Sequence, residues 1–280
     1  MPSEPSEPSQ PSDAALPPAH VLDLFVADGL LEPLAGGQGT SVRAGDLVLA
    51  PGRDETQLGW LAPVQARLAV LLDETVPRSI RLALPVPARD GRLVVDGWAA
   101  TRFEPGTTQC RDLATLRATA RLLHARLAVT VPARPKALDA RTDQWAVAER
   151  LAHDAEAAVR AAAERPEPGL RELVVALAAE LDGTADLGRE QLVHADLAGN
   201  VLLDRAGTPF VIDLSLAWRP PLWAEAVCVL DAVLWLGAPA EALDDWRSGV
   251  HRQAMLRAAL FRVFSDQPCD VARYAALGLV

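Results

Sequence analysis

Lysine is almost absent from this chain of 280 residues: Lys136 is the only one among 27 basic side chains, and arginine supplies the rest. Together with abundant alanine, arginine, glycine and proline, this scarcity is typical of a GC-rich genome and by itself indicates little about function. It does limit the chemistry, because any mechanism that needs a compact ammonium charge has one candidate.

An excess of positive charge is also missing. The formal net charge is −10, and the arginines are dispersed along the chain. Proteins that bind nucleic acid through its phosphates carry a basic patch, so we expect no nucleic-acid partner. The most apolar segment, Ala224 to Ala240, is interrupted by Glu225 and Asp231. No stretch is long enough to predict a transmembrane helix, and we expect no membrane partner.

Cysteine is scarce and scattered. Cys110, Cys228 and Cys269 are odd in number, far apart and outside any CxxC pair. This pattern argues against a disulfide framework and against a zinc site. The first residues, MPSEPSEPSQPS, have neither the basic region nor the apolar region of a signal peptide. These features predict a cytoplasmic protein.

Composition divides the chain into three parts. Residues 1–18 are mostly proline, serine and glutamate. They cannot bury enough apolar surface to offset the entropy of ordering, so we predict a disordered tail. Residues 19–104 carry strand and turn patterns and form a predicted N-terminal lobe, whereas residues 105–280 form a mainly helical C-terminal lobe.

The first lobe is predicted to hold a five-stranded antiparallel sheet and one helix after a short initial helix at Val21–Val26. Its strands are predicted at Leu31–Leu34, Ser41–Arg43, Leu47–Leu49, Ile80–Pro85 and Leu93–Thr101, with turns at Ala44-Gly45-Asp46 and Arg89-Asp90-Gly91. The helix is predicted over Thr56–Leu72, with an interruption near Pro63. In the second lobe, helical spacing predicts helices over 113–127, 143–163, 170–181 and onward from 221.

Two segments of the second lobe carry a distinctive set of polar residues. One reads VHADLAGNVLL over 193–203, and the other reads FVID over 210–213. A turn predicted at 204–207 folds one segment back on the other, which brings Asp196, Asn200 and Asp213 towards one end of a hairpin. We therefore expect these three side chains to act together.

Phosphoryl transfer uses a set of this kind. One carboxylate accepts the proton of the acceptor hydroxyl, while an asparagine and a second aspartate hold Mg²⁺ against the phosphates. Oxygen ligands suit this hard cation. Simpler interpretations exist for each residue alone, since Asp196 could cap a turn and Asp213 could end a buried strand. The combined spacing favours the chemical interpretation.

A glycine cluster, Gly36-Gly37-Gln38-Gly39, lies between the first two predicted strands. Such glycines let backbone amides approach a phosphate closely. Taken alone, the cluster is better explained as an ordinary tight turn.

With these motifs, the chain resembles the aminoglycoside phosphotransferase and choline kinase-like branch of the protein-kinase-like fold, and more narrowly an actinobacterial-type subfamily of it. Further matching segments follow in the expected order: PLAGGQG at 33–39, DGWAATRF at 96–103, LLHARL at 122–127, DQWA at 143–146 and WRPP at 218–221. The resemblance implies an α+β fold of two lobes. It also implies transfer of the ATP γ-phosphoryl group to a hydroxyl of an unidentified small molecule.

The resemblance implies a role for each matching residue. Asp196 would be the catalytic base, and His194 would orient its loop. Asn200 and Asp213 would bind Mg²⁺. The residues that would contact ATP are Gly36, Gly37 and Gly39 over the phosphates and, in a hinge at 99–103 beside the adenine, Ala99, Thr101 and Phe103.

The sequence departs from the kinase pattern in two places. The signature puts the asparagine five residues after the catalytic aspartate, whereas Asn200 follows Asp196 by four. The strand after the glycine loop should end in a lysine that pairs with the phosphates and with a helix glutamate. Ala50 stands there, and the helix has no acid between Trp60 and Leu72. Arg43 and Arg53 are the nearby basic residues that could substitute for that lysine.

Two hypotheses remain open. The retained aspartates and asparagine favour an active kinase, whereas the missing ion pair favours a pseudokinase-like module that binds a nucleotide or another ligand with little catalysis. The sequence does not identify the acceptor molecule. Glu241, Asp244 and Asp245 could attract a cationic acceptor, but a solvated acidic helix start is the simpler interpretation. Core or lobe packing is expected for Trp145, Trp218, Trp223 and Trp235.

Overall fold

A computed structural model of the chain describes residues 16–34, 40–74 and 79–280. The described residues form two compact units. One contains the residues up to Ala66 together with Ala83–Gly106, and the other contains Arg67–Leu82 and Thr107–Val280. Most of the predicted tail, residues 1–15, lies outside the described residues.

The described residues fold into short strands and mostly longer helices. In chain order, the strands are β1 (Leu31–Pro33), β2 (Val42–Ala44), β3 (Leu47–Ala50), β4 (Arg81–Leu82), β5 (Pro85–Val86), β6 (Ala99–Arg102), β7 (Thr108–Gln109), β8 (Gln191–His194), β9 (Val201–Leu203), β10 (Pro209–Val211) and β11 (Leu216–Arg219). The helices are α1 (Ala19–Phe25), α2 (Glu55–Asp73), α3 (Leu113–Thr130), α4 (Gln144–Leu151), α5 (Ala155–Ala163), α6 (Leu170–Ala179), α7 (Pro221–Trp235), α8 (Gly249–Ser265) and α9 (Val271–Ala275).

The first unit is built on a five-stranded antiparallel sheet in the order β1-β2-β3-β6-β5, which confirms the predicted N-terminal architecture. Side chains alternate between its two faces. Leu47 and Leu49 of β3 face a buried cluster that includes Phe25 of α1. Val48 and Ala50 therefore point to the opposite face of the sheet.

One of the predicted strands is shorter than expected. Asp96 and Gly97 both have positive φ, of 48° and 78°. An Asp-Gly pair with this backbone forms a tight type I′ turn, and Val95 and Trp98 close it with two backbone hydrogen bonds of 2.8 and 2.9 Å. The predicted strand Leu93–Thr101 was wrong in its first half, because the chain turns at Asp96 and β6 begins only at Ala99.

The predicted strand Ile80–Pro85 is also divided. Its first part, β4, pairs in parallel with β10 in a sheet of the second unit, whereas its last residue begins β5 of the first unit. This pairing explains why Arg67–Leu82 groups with the second unit, although the sequence placed it in the N-terminal lobe.

Helix α2 runs without a break from Glu55 to Asp73, so the interruption predicted near Pro63 was wrong. A proline ring crowds the carbonyl of the residue four positions earlier. The helix nevertheless continues through Pro63, and the residues Val64, Leu68 and Leu72 that follow it are buried. Tertiary packing commonly overrides an unfavourable helix propensity.

The second unit is mainly helical and contains two small sheets, β4-β10-β9-β7 and β11-β8. The stretch predicted as one helix over 143–163 is two, because the Asp154 carboxylate accepts from the Ala157 N–H at 2.9 Å and caps α5. Trp223 of α7 and Phe261 of α8 are almost completely buried in the main core. Trp235 was expected in a core, but it is 40% exposed.

Several groups that ordinarily titrate in alkali are buried in the second unit. Burial raises the pKa of the Cys228 thiol and of the Tyr274 phenol. It raises the pKa of Cys269 to about 12. In the described part of the chain, none of the helices combines the length and apolar character that a membrane crossing requires.

Among the residues that the structure describes, the ion pairs between a carboxylate and a lysine or arginine side chain all use arginine. Examples are Arg81 with Asp204 at 3.3 Å and Arg117 with Glu225 at 2.7 Å. Lys136, which is exposed, takes part in no ion pair with a described residue.

The β2–β3 turn generates a stability prediction. Gly45 has φ +61°, and an added Cβ would lie 2.6 Å from the Asp28 carbonyl oxygen. Gly91 also has positive φ, +87°, but an added Cβ there meets nothing within 4 Å. Replacing either glycine with alanine incurs the left-handed backbone cost of about 1 kcal/mol, and Gly45→Ala adds a clash of about 1–3 kcal/mol.

Urea unfolding monitored by circular dichroism would compare the two variants with wild type. We expect Gly45→Ala to lower the free energy of unfolding clearly more than Gly91→Ala. Equal losses in both variants would contradict the close approach of the Asp28 carbonyl.

Candidate functional site

The three predicted site residues of the second unit lie on the connections of two strand pairs. Strand β8 pairs antiparallel with β11, and His194 stands opposite Leu216. Strands β9 and β10 form the predicted hairpin. A 3₁₀ turn over Ala198–Asn200 leads from β8 into β9. Asp196 lies in this connection, Asn200 directly precedes β9, and Asp213 follows β10.

Asp196 and Asn200 are in direct contact. The Asn200 Nδ2 donates to the Asp196 backbone carbonyl at 2.6 Å and to its carboxylate Oδ2 at 3.1 Å. The Asn200 N–H donates to the Leu197 carbonyl at 2.8 Å, which tightens the turn. The loop that is one residue shorter than the kinase signature thus still places the amide beside the carboxylate.

Asp213 is tied to the same loop through the backbone. The Ile212 N–H donates to the Asn200 carbonyl at 3.0 Å, which continues the β9–β10 pairing by one residue. The half-buried Asp213 comes next in the chain. The structure therefore brings together Asp196, Asn200 and Asp213, as the sequence predicts.

The imidazole of His194 connects the two segments. The Asp196 N–H donates to Nδ1 at 3.1 Å, and Nε2 lies 2.5 Å from the Asp213 carbonyl oxygen. Burial lowers the pKa of His194, although the negative charges of Asp196 and Asp213 oppose this. The ring is therefore neutral, and the hydrogen-bond pattern assigns its proton to Nε2. His194 orients both Asp196 and Asp213 without carrying charge.

A second histidine supports the first. His124 of α3 is 3% exposed, and its Nε2 accepts the His194 backbone N–H at 3.0 Å. Burial, and then the neighbouring His194, lower the pKa of His124 to about 3. The sequence assigned no role to this residue. Its signal was a histidine on the apolar face of α3, beside Leu123 and Leu127.

A buried arginine also reaches the site. Arg262 of α8 has a side chain that is 5% exposed, and its Nη2 donates to Asp196 Oδ1 at 2.5 Å. Its Nε donates to Asp231 Oδ1 at 2.7 Å, and its Nη2 also bonds Asp231 Oδ2. Burial disfavours a charged guanidinium, but the two carboxylates outweigh this and raise the pKa of Arg262.

Sequence reasoning missed the Arg262–Asp231 pair. Asp231 stood out only as a charge that interrupts an apolar segment, and such a charge is a signal for a buried partner. Its partner, Arg262, is 31 residues away along the chain.

The donor set of the loop fits a hard cation. Asn200 Nδ2 lies within hydrogen-bond distance of two Asp196 oxygens, and no donor to the amide Oδ1 is found among the described residues. Within the described ranges there is no cluster of three or more His, Cys, Asp or Glu side chains suited to a metal. Mg²⁺ is commonly held by one or two protein oxygens together with substrate phosphates, which Asn200 and Asp213 can supply.

The predicted nucleotide contacts lie in the first unit. Gly36, Gly37 and Gly39 fall outside the described residues. Ala99 and Thr101 belong to β6, and Phe103 is the first residue after that strand. The Phe103 N–H donates to the Asp46 carbonyl at 2.8 Å and so continues the pairing of β6 with β3 by one residue. The hinge at 99–103 stays a prediction.

The position at which the resemblance implies a lysine, residue 50, is well defined. Ala50 ends β3 opposite Ala99 of β6. The buried polar side chain of α2 within this unit is the neutral Gln65, which is 6% exposed. Glu55 and Asp73 stand at the two ends of the helix.

Arg43 is engaged away from Ala50. Its guanidinium carbon lies 4.2 Å from the centre of the Phe103 ring, and Nη1 donates to Glu32 at 3.1 Å. Its Nε donates to the Gly45 carbonyl at 2.9 Å, at the turn of the β2–β3 hairpin. These contacts hold the Arg43 side chain at the turn and disfavour it as a substitute for the lysine.

The acidic residues considered for acceptor binding are exposed. Glu241, Asp244 and Asp245 lie in a 3₁₀ segment, Ala240–Trp246, and Asp244 pairs with Arg247 at 3.2 Å. This arrangement agrees with the simpler interpretation of a solvated acidic turn.

Comparisons with known proteins place the fold. No protein-family model and no curated protein matches the sequence. Among solved structures, an aminoglycoside phosphotransferase from Alicyclobacillus acidocaldarius aligns with a TM-score of 0.57 at 15% identity, over 96% of this chain and 92% of its own. The gentamicin complex of the phosphotransferase APH(2″)-IIa gives 0.50 at 12% identity, over 93% and 94%.

A choline kinase from Streptococcus pneumoniae gives a TM-score of 0.48 at 14% identity, over 93% of this chain and 96% of its own. The chain thus has the fold of the aminoglycoside phosphotransferases, which confirms the fold that the sequence resemblance implied. At these identities the likeness concerns the fold alone, and the narrower subfamily stays a prediction.

The buried His124 generates a prediction of pH dependence. An unfolded histidine takes up a proton near pH 6.5, whereas folded His124 does so only near pH 3. Its contribution to stability is therefore complete above about pH 6.5 and is lost as the pH falls towards 3. Between pH 7 and pH 5 this linkage removes about 2 kcal/mol.

His124→Gln keeps an oxygen that can accept the His194 N–H but cannot titrate. We expect the free energy of unfolding of this variant to fall by about 2 kcal/mol less than that of wild type between pH 7 and pH 5, measured by urea unfolding. His20→Gln, which removes an exposed histidine, is the matched control. The same pH dependence in wild type and His124→Gln would contradict a neutral, buried His124.

Proposed function

We propose that this protein is a small-molecule kinase that transfers the γ-phosphoryl group of ATP to a hydroxyl of a small acceptor. The observation that carries the proposal is the assembly of Asp196, Asn200 and Asp213 by one neutral imidazole. If Asp196 only capped a turn and Asp213 only ended a strand, neither residue would need a contact with the other segment. In this loop His194 accepts from the backbone N–H of Asp196 and meets the backbone carbonyl of Asp213, which holds the two backbone positions side by side.

The proposed reaction assigns the base role to Asp196. Its carboxylate accepts the proton of the acceptor hydroxyl as the hydroxyl oxygen bonds to the γ-phosphorus. The bond between that phosphorus and the β–γ bridging oxygen breaks, and its electron pair leaves with ADP. The side chain is 35% exposed, so a substrate can reach it.

Asn200 and Asp213 are the proposed ligands of Mg²⁺. The bound cation supplies positive charge that neutralises the phosphate oxygens during transfer. The Asn200 amide is held by its two bonds to Asp196, so the Asn200 oxygen and the base keep a fixed relation. His194 holds the backbone of Asp213 through a contact with the Asp213 carbonyl oxygen.

ATP is the proposed phosphoryl donor, bound by Gly36, Gly37 and Gly39 over its phosphates and by Ala99, Thr101 and Phe103 beside its adenine. These assignments come from the family resemblance. The acceptor is a small molecule whose identity stays open, because one fold serves many substrates.

A second candidate function is a nucleotide- or ligand-binding module with little catalysis. The observation that favours it is Ala50 at the end of β3, where a kinase has its lysine, together with a helix α2 that has no acid between Trp60 and Leu72. Loss of both charges together avoids an uncompensated buried charge. Without the lysine, the protein also offers one positive charge fewer to the ATP phosphates, so we expect slow turnover even if the protein is a kinase.

Substitution of Asp213 separates the two candidates. Millimolar Mg²⁺–ATP is expected to raise the melting temperature of wild type, because a ligand of the folded state stabilises it by mass action. Asp213→Asn is expected to reduce that rise and to slow ATP turnover by about 100-fold or more. Asp204→Asn, at the turn end of the same hairpin, is the matched control and should turn over ATP at the wild-type rate.

Equal turnover in wild type and Asp213→Asn would contradict the kinase. A thermal shift without turnover in any of these proteins would support the binding module. No thermal shift in wild type at millimolar nucleotide would contradict both.

Restoring the lysine tests the position of Ala50. Ala50→Lys returns a compact positive charge to the end of β3, and we expect it to tighten Mg²⁺–ATP binding by about 3- to 10-fold, measured by calorimetry. Val48→Lys, on the same face of the same strand, is the matched control and should have less effect. An equal gain from both substitutions would indicate a general effect of charge and contradict a specific phosphate position at residue 50.

A further inference from the structure

Arg262 contacts Asp196 in addition to its buried ion pair with Asp231. Asp231 alone already offers Arg262 two carboxylate oxygens, and its side chain is 3% exposed. A bidentate pair of this kind satisfies a guanidinium fork. Yet Nη2 also reaches Asp196, whose side chain is 35% exposed. The arginine thus links the core of the second unit to its candidate catalytic loop.

We propose that Arg262 is a positioning residue that fixes the orientation of the Asp196 carboxylate, with Asp231 as its buried counter-ion. This inference rests on the proposed function, in which Asp196 is the catalytic base. The terminal torsion of an aspartate is soft and roughly two-fold, so an unrestrained carboxylate presents either oxygen. Arg262 holds Oδ1 at 2.5 Å and thereby leaves Oδ2 as the oxygen available to an acceptor hydroxyl.

The second oxygen is also oriented, but more loosely. Asn200 Nδ2 lies 3.1 Å from Oδ2, a longer contact than the 2.5 Å bond to Oδ1. A carboxylate oxygen has two lone pairs, so one bond from Asn200 leaves Oδ2 able to accept the proton of a substrate. The two contacts divide the carboxylate into an anchored oxygen and a reactive one.

The surroundings of Arg262 keep its guanidinium in place. Its central carbon lies 4.9 Å from the centre of the Phe261 ring and 5.4 Å from that of Trp235. Aromatic rings at this range attract a cation and restrict its movement. Trp235 is the partly exposed neighbour, which explains why a tryptophan expected in the core lies beside the candidate site.

The charge balance points to the same role. Asp196, Arg262 and Asp231 together carry one net negative charge when all are ionised. Without Asp231, Asp196 would be the one carboxylate that the described contacts give to Arg262. With Asp231 present, the guanidinium divides its hydrogen bonds between a buried carboxylate and the partly exposed Asp196.

The test removes the arginine without leaving a buried charge behind. In Arg262→Met/Asp231→Leu, two apolar side chains replace the ion pair, an exchange that proteins often tolerate. Arg262→Lys retains one cation without the fork. Arg257→Met is the matched control, since Arg257 is a buried arginine of the same helix that bonds Gln253 and the Asp182 carbonyl instead.

The first readout is hydrolysis of Mg²⁺–ATP with water as the acceptor, together with the affinity for Mg²⁺–ATP from calorimetry. We expect the double variant to bind Mg²⁺–ATP within about 3-fold of wild type and to turn it over about 100-fold more slowly, because a misoriented base costs this much. Arg262→Lys should recover part of the rate. Arg257→Met should keep the wild-type rate per folded molecule. Wild-type turnover by the double variant would overturn the proposal.

The second readout does not depend on turnover. Crystal structures of wild type and of the double variant should show one orientation of the Asp196 carboxylate in the former and a rotated or divided one in the latter. An unchanged carboxylate in the double variant would overturn the positioning role. If wild type binds Mg²⁺–ATP without turnover, the kinase assignment fails, and these two structures still decide whether Arg262 positions Asp196.

Discussion

The hydrogen bonds of one neutral imidazole hold the candidate site together. His194 accepts from the backbone of Asp196 with one nitrogen and meets the carbonyl of Asp213 with the other. A protonated ring would have two donors and could not accept the Asp196 N–H. Burial lowers the pKa of His194 and so favours the neutral ring, and His124 accepts the backbone N–H of the same residue. The backbones that carry Asp196 and Asp213 are thus held together by a neutral group.

The sequence predicted the parts of this site that depend on local spacing. Asp196, Asn200 and Asp213 are separated by one short turn and one hairpin, and both follow from residues between 196 and 213. The bounds of α2 and the β2–β3 turn were predictable for the same reason, since periodicity and turn residues are local signals.

Residues that act across the chain were not predictable in this way. Arg262 meets Asp196 over a separation of 66 residues, and His124 meets His194 over 70. No local pattern encodes such a pairing. The errors in the first unit have a different cause, because Asp96-Gly97 was taken as strand interior although this dipeptide favours a turn. Pro63 was over-weighted because tertiary packing of the helix can outweigh the local cost of a proline.

The two units differ in the polar residues that they offer at the predicted site positions. The second unit holds a set of polar groups with mutual hydrogen bonds around Asp196. In the first unit, Ala50 stands where the family resemblance implies a lysine. The described contacts of Arg43 hold its side chain at the β2–β3 turn, so Arg53 is the other nearby basic residue that the sequence suggests as a substitute.

The preference for arginine over lysine determines how the protein responds to alkali. Guanidinium groups stay protonated well above pH 11, so pairs such as Arg81–Asp204 persist where lysine pairs dissolve. The groups that do ionise there, Cys228, Cys269 and Tyr274, have raised pKa values in the folded state. Their contribution is complete below the unfolded values, near 9 for a thiol and 10 for a phenol, and disappears as the pH rises above them. We therefore expect ionisation of the buried thiols and of the phenol to destabilise the folded state in alkali before the arginine ion pairs break.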